Sequence, residues 1–337
     1  MADVMGQCDL DILLEIGGLK TYFYTDYGVV HAVDGVDIKF PRGKVVGVVG
    51  ESGCGKSVTA LSIMQLVSQP PGKVEAGVIH YHPTDSESID ILNLHPRSKA
   101  MRKLRGKELA MIFQEPMTSL NPVYSIGDQI IEKVQVHYTL SRKAAREYAI
   151  AMLDKVGIPG PSQRADEYPH QMSGGMRQRA MIAIALACDP QFLIADEPTT
   201  ALDVTIQAQI LILMKDLQAE SGSSIMLVTH DLGVVGEMAD EVVVMYMGKI
   251  VEHAAVQPLF YEPLHPYTRG LLRSIPLIGR SGKRWLTPIE GSLPDPYELP
   301  QGCRFQTRCP QRMDMCREEP PWQAVTDGHG VLCWLYA

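Results

Sequence analysis

Residues 45–61, VVGVVGESGCGKSVTAL, join an apolar run to a glycine-rich turn and then to a second apolar-periodic stretch. This order predicts a buried strand, a loop and a helix. Residues 50–57 match the pattern G-x-x-x-x-G-K-[ST], in which small residues let successive backbone N–H groups and the helix N-terminus point at one anion. The alternative, a glycine turn that only packs, does not explain why the whole pattern lies between a strand and a helix start.

The loop therefore predicts binding of a nucleoside triphosphate. Lys56 is expected to reach the β- and γ-phosphates, and Ser57 to ligate Mg²⁺. The residues expected to surround the phosphates are Gly50, Glu51, Ser52, Gly53, Cys54, Gly55, Lys56, Ser57 and Val58.

Composition is that of an ordinary globular protein, with 337 residues of which 45% are hydrophobic and 21% charged, a length that favours two domains. The balance of 31 basic and 39 acidic residues gives a net charge of −8, which argues against a broad nucleic-acid-binding face. The N-terminus lacks the features of a signal peptide, and no apolar run reaches the ~18 residues of a spanning helix. We therefore expect a cytoplasmic protein whose membrane role, if it has one, is peripheral.

The hydrophobic pattern divides the chain into an α/β part and a proline-rich tail. Short apolar runs separated by turn signals in residues 10–49, and another run at 77–81, predict antiparallel strands. Helical periodicity from about 96 to 186 predicts a helical insertion. Prolines then become frequent towards the C-terminus, so we expect one domain at 1–255 and a small loop-rich module at 256–337.

Two further apolar runs, residues 192–197 and 224–230, end in polar side chains. They predict buried parallel strands whose carboxyl ends meet at the ligand-binding edge of a sheet. Asp196 is placed to bind Mg²⁺ there, and Glu197 to act as general base toward an attacking water. A helix-capping acid pair is the alternative. Together with the phosphate loop, the pair predicts hydrolysis of the nucleotide rather than binding alone.

A second helix start, residues 173–178 with the sequence SGGMRQ, also directs backbone N–H groups, a hydroxyl and a helix dipole at one anion site. Alone, it is equally consistent with an N-cap and a turn. Its presence beside the other motifs makes it informative.

Together these motifs resemble the nucleotide-binding subunits of ATP-binding-cassette (ABC) transporters over about residues 10–255. The resemblance implies the ABC-type fold of the P-loop NTPases, with a RecA-like α/β core, an antiparallel β layer and a helical insertion. It also implies that two subunits sandwich two ATP molecules, each subunit placing its second helix start against the phosphate loop of the other.

The resemblance implies a role for each motif residue. The catalytic residues are Glu197, the switch histidine His230 and the Q-loop glutamine Gln114, and Mg²⁺ is expected at Ser57, Gln114 and Asp196. The alternatives are ordinary structural roles: His230 as a surface histidine, Gln114 in a turn, and the aromatic residue proposed below for adenine stacking in the core. The remaining nucleotide contacts are the signature residues Ser173, Gly174, Gly175 and Gln178, the D-loop Asp203, and an adenine-stacking aromatic, for which Phe23 fits the spacing best and Tyr24 next.

Longer strings narrow the resemblance to the ATPases of oligopeptide/dipeptide importers. These strings are QEPMTSLNP at 114–122, ALDVTIQAQ at 201–209 and HPYTRGLL at 265–272. The resemblance implies import of dipeptides or oligopeptides, a second homologous ATPase subunit, two membrane permeases and an external peptide-binding protein. It also implies a location at the cytoplasmic face of the membrane. Some members of this family transport nickel or other solutes, so the solute stays open.

Two other classes of function are weaker. A soluble ABC ATPase acting on DNA or ribosomes would be expected to carry long coiled-coil insertions, yet no sustained heptads lie between the two helix starts. An electron carrier centred on the cysteines would not need the complete ATPase motif set.

The C-terminal region contains a cluster of four cysteines, spaced C-x5-C-x6-C-x16-C. Four thiolates suit Zn²⁺ or an iron–sulfur cluster, and the tight cysteine pairs typical of structural zinc are missing. A disulfide is disfavoured in the cytoplasm, and four unconnected thiols are the remaining alternative. Aided by the resemblance to family members with this cysteine pattern, we expect a [4Fe–4S] cluster, with Zn²⁺ as the alternative, that staples the tail. The expected ligands are Cys303, Cys309, Cys316 and Cys333.

Overall fold

The computed structural model describes residues 11–84, 87–200, 202–274 and 288–337, so Ala201 of the second string lies outside the described residues. The strands are β1 (Ile12–Thr25), β2 (Gly28–Pro41), β3 (Val45–Val49), β4 (Gly72–Tyr81), β5 (Ile89–Asp90), β6 (Leu109–Ile112), β7 (Phe192–Asp196), β8 (Ser224–Thr229), β9 (Glu241–Tyr246), β10 (Lys249–Ala255), β11 (Trp322–Thr326) and β12 (His329–Leu332). The α-helices are α1 (Lys56–Ile63), α2 (Lys99–Leu104), α3 (Pro116–Ser119), α4 (Ile126–His137), α5 (Arg142–Lys155), α6 (Pro161–Arg164), α7 (Gly174–Leu186), α8 (Val204–Ser221), α9 (Leu232–Met238), α10 (Val256–Tyr261) and α11 (Pro266–Arg273). None of the helices in the described part of the chain combines the length and hydrophobicity needed to span a bilayer.

An eight-stranded sheet in the order β11-β12-β10-β9-β3-β8-β7-β6 forms the centre of the molecule. Strands β9, β3, β8, β7 and β6 run parallel, and β3, β7 and β8 are buried at every residue, as their continuous apolar runs predict. Because β3 lies between β8 and β9, the phosphate loop leaves the middle of the sheet. The ends of β7 and β8 emerge beside it.

Alternate residues of the parallel strands enter separate cores on the two faces of this sheet. Leu193 and Leu227 pack with the helical part of the chain. Ile194 and Val228 pack with α1 and with a four-stranded antiparallel sheet, β2-β1-β4-β5. This period of two fixes which side chains face each layer. The predicted antiparallel strands therefore form one layer over the parallel sheet.

The helical part is shorter than the sequence pattern indicates. Residues Leu109–Ile112, inside the stretch expected to be a helical insertion from 96 to 186, form β6 and pair in parallel with β7. So short an apolar run does not distinguish a strand from a buried helix, and pairing with β7 decides it. The helices that pack together on this side are α4, α5 and α7.

The C-terminal residues contribute two strands to the main sheet. Strands β9 and β10 form the expected hairpin, with positive φ at Met247 (44°) and Gly248 (80°), as a two-residue type I′ turn requires. Strand β12 then pairs with β10, and β11 with β12, all antiparallel. The proline-rich segment thus returns to close one edge of the sheet.

The buried carboxylate of Glu252, on β10, holds this edge together. It accepts the backbone N–H groups of Leu264 at 2.7 Å and His265 at 2.8 Å, and it lies 2.9 Å from Nε2 of His329 on β12. Glu252 is 0% exposed, so each of these partners compensates for the loss of water around its charge.

We predict that Glu252→Ala lowers the free energy of unfolding by about 3–5 kcal/mol, because removing one member of a buried pair leaves its partners unpaired. Denaturant unfolding measures the change. Glu241→Ala is the matched control, since Glu241 also lies 2.9 Å from a histidine, His253, but both side chains are about one third exposed. The control should cost at most about 1 kcal/mol. Equal losses in the two variants would contradict the role given to Glu252.

Candidate functional site

The phosphate loop connects β3 to α1 in a conformation that only glycine allows at two positions. Gly50 has a φ of 153° and Gly55 a φ of 108°. A Cβ on Gly50 would overlap the carbonyl oxygen of Met245, and one on Gly55 that of Ala32. The loop is therefore pressed against the backbone of the neighbouring strands.

Lys56 begins α1 and folds back across this loop. Its Nζ donates to the carbonyl oxygens of Gly50 at 2.8 Å and Glu51 at 3.1 Å, and lies 3.7 Å from Sγ of Cys54. The residue is only 5% exposed. The ammonium group is thus held inside the loop, where a phosphate would replace the carbonyls as its partner.

The other predicted loop residues have distinct positions. Ser52 and Gly53 are exposed at the tip. Cys54 is buried beneath the loop, and this burial raises the pKa of its thiol. The side chain of Val58 packs on the core, so only its backbone faces the expected nucleotide. Glu51 is ion-paired with Arg308.

Ser57 and Asp196 meet beside the loop. Oγ of Ser57 donates to Oδ1 of Asp196 at 3.0 Å, which joins the first turn of α1 to the end of β7. Asp196 is 4% exposed, and this burial, opposed by the hydrogen bond from Ser57, raises the pKa of its carboxyl group. A buried carboxylate oxygen next to a hydroxyl is a donor set that Mg²⁺ prefers.

Glu197 is the point at which three motifs converge. Its carboxylate accepts Nε2 of Gln114 at 2.9 Å, lies 3.0 Å from Nδ1 of His230, and accepts the hydroxyl of Thr200 at 2.8 Å. Its own φ is 47°, a left-handed conformation that turns the chain sharply away from β7. Such strain at a non-glycine residue is typical of functional sites. Thr200 was not identified from the sequence, because only the turn brings it back to Glu197.

The same contacts set the charge of Glu197. Burial alone would raise the pKa of its carboxyl group, but the hydrogen bonds from His230 and Thr200 outweigh that effect and hold the pKa below its usual range. The side chain is therefore ionised at neutral pH, as a general base must be.

The second helix start lies at the surface. Oγ of Ser173 accepts the N–H of Met176 at 3.3 Å and caps α7, while the Ser173 side chain is exposed. Asp203 is likewise exposed and caps α8 through the N–H of Ile206 at 2.9 Å. A Cβ on Gly175 would lie 2.9 Å from Cγ2 of Ile206, so the two helix starts pack together. Gly174 has open space around it.

Gln178 differs from the expectation that it contacts a nucleotide. It is 2% exposed, and its Nε2 donates to the carbonyl of Pro198, the residue after Glu197. One turn into α7, its side chain faces the core and not the surface. Gln178 therefore supports the turn that carries Glu197.

The aromatic residues near the N-terminus also differ from the expectation. The ring of Phe23 packs beside Gly72, next to Val67 beyond the C-terminal end of α1, whereas the phosphate loop is at the N-terminal end. The ring of Tyr22 stacks on His31, with centroids 4.2 Å apart and planes 9° apart. Strand β1 alternates its side chains, so Tyr22 and Phe23 face opposite sides.

The four C-terminal cysteines are all unpaired. Burial, together with smaller contributions from the other three thiols, raises the pKa of the Cys303 thiol to about 11. Each sulfur also receives a backbone N–H, as from Met313 to Cys316 at 3.4 Å. However, within the described ranges no three His, Cys, Asp or Glu side chains are grouped closely enough to hold a metal ion.

Comparisons with known proteins agree with this geometry. The ABC transporter family model matches residues 33–200, and that of the oligopeptide/dipeptide transporter C-terminal region matches 251–316. The chain is 53% identical to the oligopeptide transport ATP-binding protein AppD of Bacillus subtilis (strain 168), over 97% of this chain and 98% of the relative. It is 49% identical to the dipeptide transport ATP-binding protein DppD of the same organism, over 97% and 95%. A dimeric ATP-binding cassette in a post-hydrolysis state, bound to ADP and Pi, matches with a TM-score of 0.63 and 25% identity over 72% of this chain and 99% of that one.

The fold and the converging motifs thus define a P-loop ATPase with an antiparallel layer over its parallel sheet. Its relatives make the assignment specific. The chain belongs to the ABC transporter ATPases, in the group that carries the oligopeptide/dipeptide transporter C-terminal region. The fold class expected from the sequence is confirmed.

We predict that Glu197→Gln lowers ATP turnover by at least about 100-fold, because it removes the general base. ATP binding should persist, since Lys56, Ser57 and Asp196 remain. Phosphate release and binding of a fluorescent ATP analogue measure the two effects separately. Glu237→Gln, an exposed acid on α9, is the control and should change neither. Turnover at the wild-type rate in Glu197→Gln would refute the role of Glu197.

Proposed function

We propose that this chain hydrolyses ATP to power the import of dipeptides or oligopeptides through a membrane permease. The observation that carries the ATPase part is the meeting of Gln114, Glu197 and His230, from three separate segments, beside the phosphate loop. The peptide part rests on the relatives, which are named oligopeptide and dipeptide transport ATP-binding proteins.

The residues divide the work of phosphoryl transfer among them. The N–H groups of the loop and the ammonium of Lys56 bind the phosphates. Ser57 and Asp196 would hold Mg²⁺, with Gln114 at one of its waters, and the bound ion would supply positive charge that offsets the charge of the phosphates. Glu197 takes a proton from the attacking water, while His230, which lies 3.0 Å from Glu197, orients the γ-phosphate and the base.

The exposed second helix start supports a two-subunit mechanism. Ser173, Gly174 and Asp203 are exposed at the surface and Gly175 is partly exposed, so this face can complete the nucleotide site of an opposing subunit. We propose a second homologous ATPase as that subunit, two permeases that bind at the cytoplasmic face of the membrane, and an external peptide-binding protein. Closure of the ATPase pair on ATP would then drive the permeases.

The adenine base is best placed against Tyr22 rather than Phe23. Besides stacking on His31, Tyr22 donates its hydroxyl to Asp34 at 2.7 Å, and Asp34 receives Arg304. The backbone N–H of Asp34 donates to Gly248, whose own N–H donates to Cys54 of the phosphate loop. This chain of contacts links the Tyr22 ring to the loop.

Disruption of the gene for this chain in its host should abolish uptake of a labelled dipeptide or oligopeptide and leave nickel uptake unchanged. Wild-type protein and Lys155→Ala should restore uptake, because Lys155 is a partly exposed residue paired with Glu220. Lys56→Ala should not, because it removes the cation from the phosphates. Loss of nickel uptake with normal peptide uptake would refute the proposed solute.

We further propose that Cys303, Cys309, Cys316 and Cys333 bind a [4Fe–4S] cluster that staples the C-terminal region. What supports this is the donor set: four unpaired thiols, of which three raise the pKa of the fourth, Cys303, and each of which receives a backbone N–H of the kind that stabilises cluster thiolates. The four sulfurs would have to move closer to one another to bind the cluster, because in the described residues they are not grouped closely enough to hold a metal ion. The cluster would cross-link the C-terminal region, which has little hydrophobic core of its own.

Anaerobically purified protein should be brown and contain about four irons per chain. Cys309→Ser should lose the colour and lower the unfolding temperature, because it removes one ligand, whereas Cys188→Ser, outside this region, should keep the iron. A colourless preparation with one zinc per chain would show that the site binds Zn²⁺ and would refute the cluster. A preparation with neither metal would refute the metal site itself.

A further inference from the structure

The phosphate loop contains an acidic residue at the place where it must bind an anion. Glu51 directly follows Gly50, and its backbone carbonyl accepts the ammonium of Lys56 at 3.1 Å. A negatively charged carboxylate on this loop repels bound phosphates unless a positive charge neutralises it. The loop therefore needs a device that neutralises Glu51 and directs it away.

The C-terminal region provides such a device. The guanidinium of Arg308 donates to both carboxylate oxygens of Glu51, at 2.7 and 3.1 Å, across 257 residues of sequence. The Arg308 side chain is 4% exposed and lies over the ring of Tyr246, 5.9 Å from its centroid. The Glu51 side chain is 27% exposed. A bidentate pair of this kind is among the strongest and most directional ion pairs.

A second contact from the same region holds the backbone of Glu51. Its N–H donates to the hydroxyl oxygen of Tyr267 at 2.8 Å. Tyr267 is 0% exposed and packs with Tyr246 and Phe305, with ring centroids 4.7 and 5.4 Å away. The side chain, N–H and carbonyl of Glu51 are thus all occupied, and two of the three are held from the C-terminal region.

We propose that Arg308 and Tyr267 are positioning residues for ATP, which set the phosphate loop for an anion by neutralising and anchoring Glu51. The C-terminal region is then a working part of the nucleotide site as well as an appendage to it. This inference rests on the proposed binding of ATP at the loop. It assigns no chemical step to either residue.

If Arg308 acts by neutralising Glu51, removing the charge of Glu51 should reverse the effect of losing Arg308; a purely structural role of Arg308 does not predict this reversal. In the full-length chain with Mg²⁺ and a fluorescent ATP analogue, Arg308→Ala should weaken binding about tenfold, within the range typical of coupling between sites. Adding Glu51→Gln to Arg308→Ala removes the stranded charge and should restore affinity to within about threefold of wild type.

Arg269→Ala is the matched control. Arg269 is another arginine of this region, and it donates to Pro263 and Tyr336 rather than to the phosphate loop. It should lower the unfolding temperature without changing ATP affinity. Should Arg308→Ala not fold, Arg308→Lys, which keeps the charge but not the bidentate geometry, should show a smaller loss that Glu51→Gln again reverses.

Unchanged ATP affinity in Arg308→Ala, or a loss that Glu51→Gln fails to reverse, would overturn the inference. If Arg269→Ala weakened binding as much as Arg308→Ala, the contact with Glu51 would not be the cause and the inference would also fail. These results are distinct from failure of the proposed function, which would appear as wild-type affinity in Lys56→Ala.

Discussion

The open N-terminus of α1 is the constraint on which the rest of the structure depends. The first N–H groups of a helix have no intrahelical partner, and proteins usually satisfy them with a capping side chain. In the described structure α1 has neither a side-chain cap nor an acid in its first turn, and its N-cap is Gly55. These donors are left for an anion. The strands around the loop must therefore hold it in place through packing and backbone contacts.

That requirement explains the arrangement of the surrounding elements. Gly50 and Gly55 bring the loop against backbone carbonyls of Met245 and Ala32, from the hairpin strand β9 and the antiparallel layer. The loop is thus supported from two directions by contacts that leave the start of α1 without a side-chain cap. The same sheet edge presents Asp196 at the end of β7, where it meets Ser57 at 3.0 Å. Neighbouring strands thus supply both the backbone contacts that support the loop and the carboxylate that meets Ser57.

Glu197 and Glu51 show how differently two acids near one phosphate site are treated. Glu197 accepts hydrogen bonds from side chains that are themselves near the site, so it stays ionised and available to a water. Glu51 forms a bidentate pair with Arg308 and its N–H is bound by Tyr267, so its charge is directed away. The second arrangement depends on the C-terminal region, which is fastened to the main sheet through the buried Glu252. Stability at that edge and order in the phosphate loop are therefore connected.

Much of the fold and site was determined by the sequence itself. The phosphate loop, the buried strands ending at Asp196 and His230, and the capped start of α7 are local patterns, because each depends on a few consecutive residues whose backbone geometry and hydrogen bonding are nearly independent of the rest. Local patterns could not predict features that depend on pairing between distant segments. The run of β6 was too short to separate strand from helix, and its pairing with β7 settled it.

Side-chain direction and long-range pairing were decided only by the tertiary structure. The alternation of β1 places Tyr22 and Phe23 on opposite faces, which spacing along the chain does not resolve. The burial of Gln178 follows from how α7 packs beneath the turn after Glu197. The contact of Arg308 with Glu51 spans 257 residues and has no local signature. Local patterns indicated which groups are expected to bind phosphate, and packing decided how those groups are held, because packing alone joins residues distant in sequence.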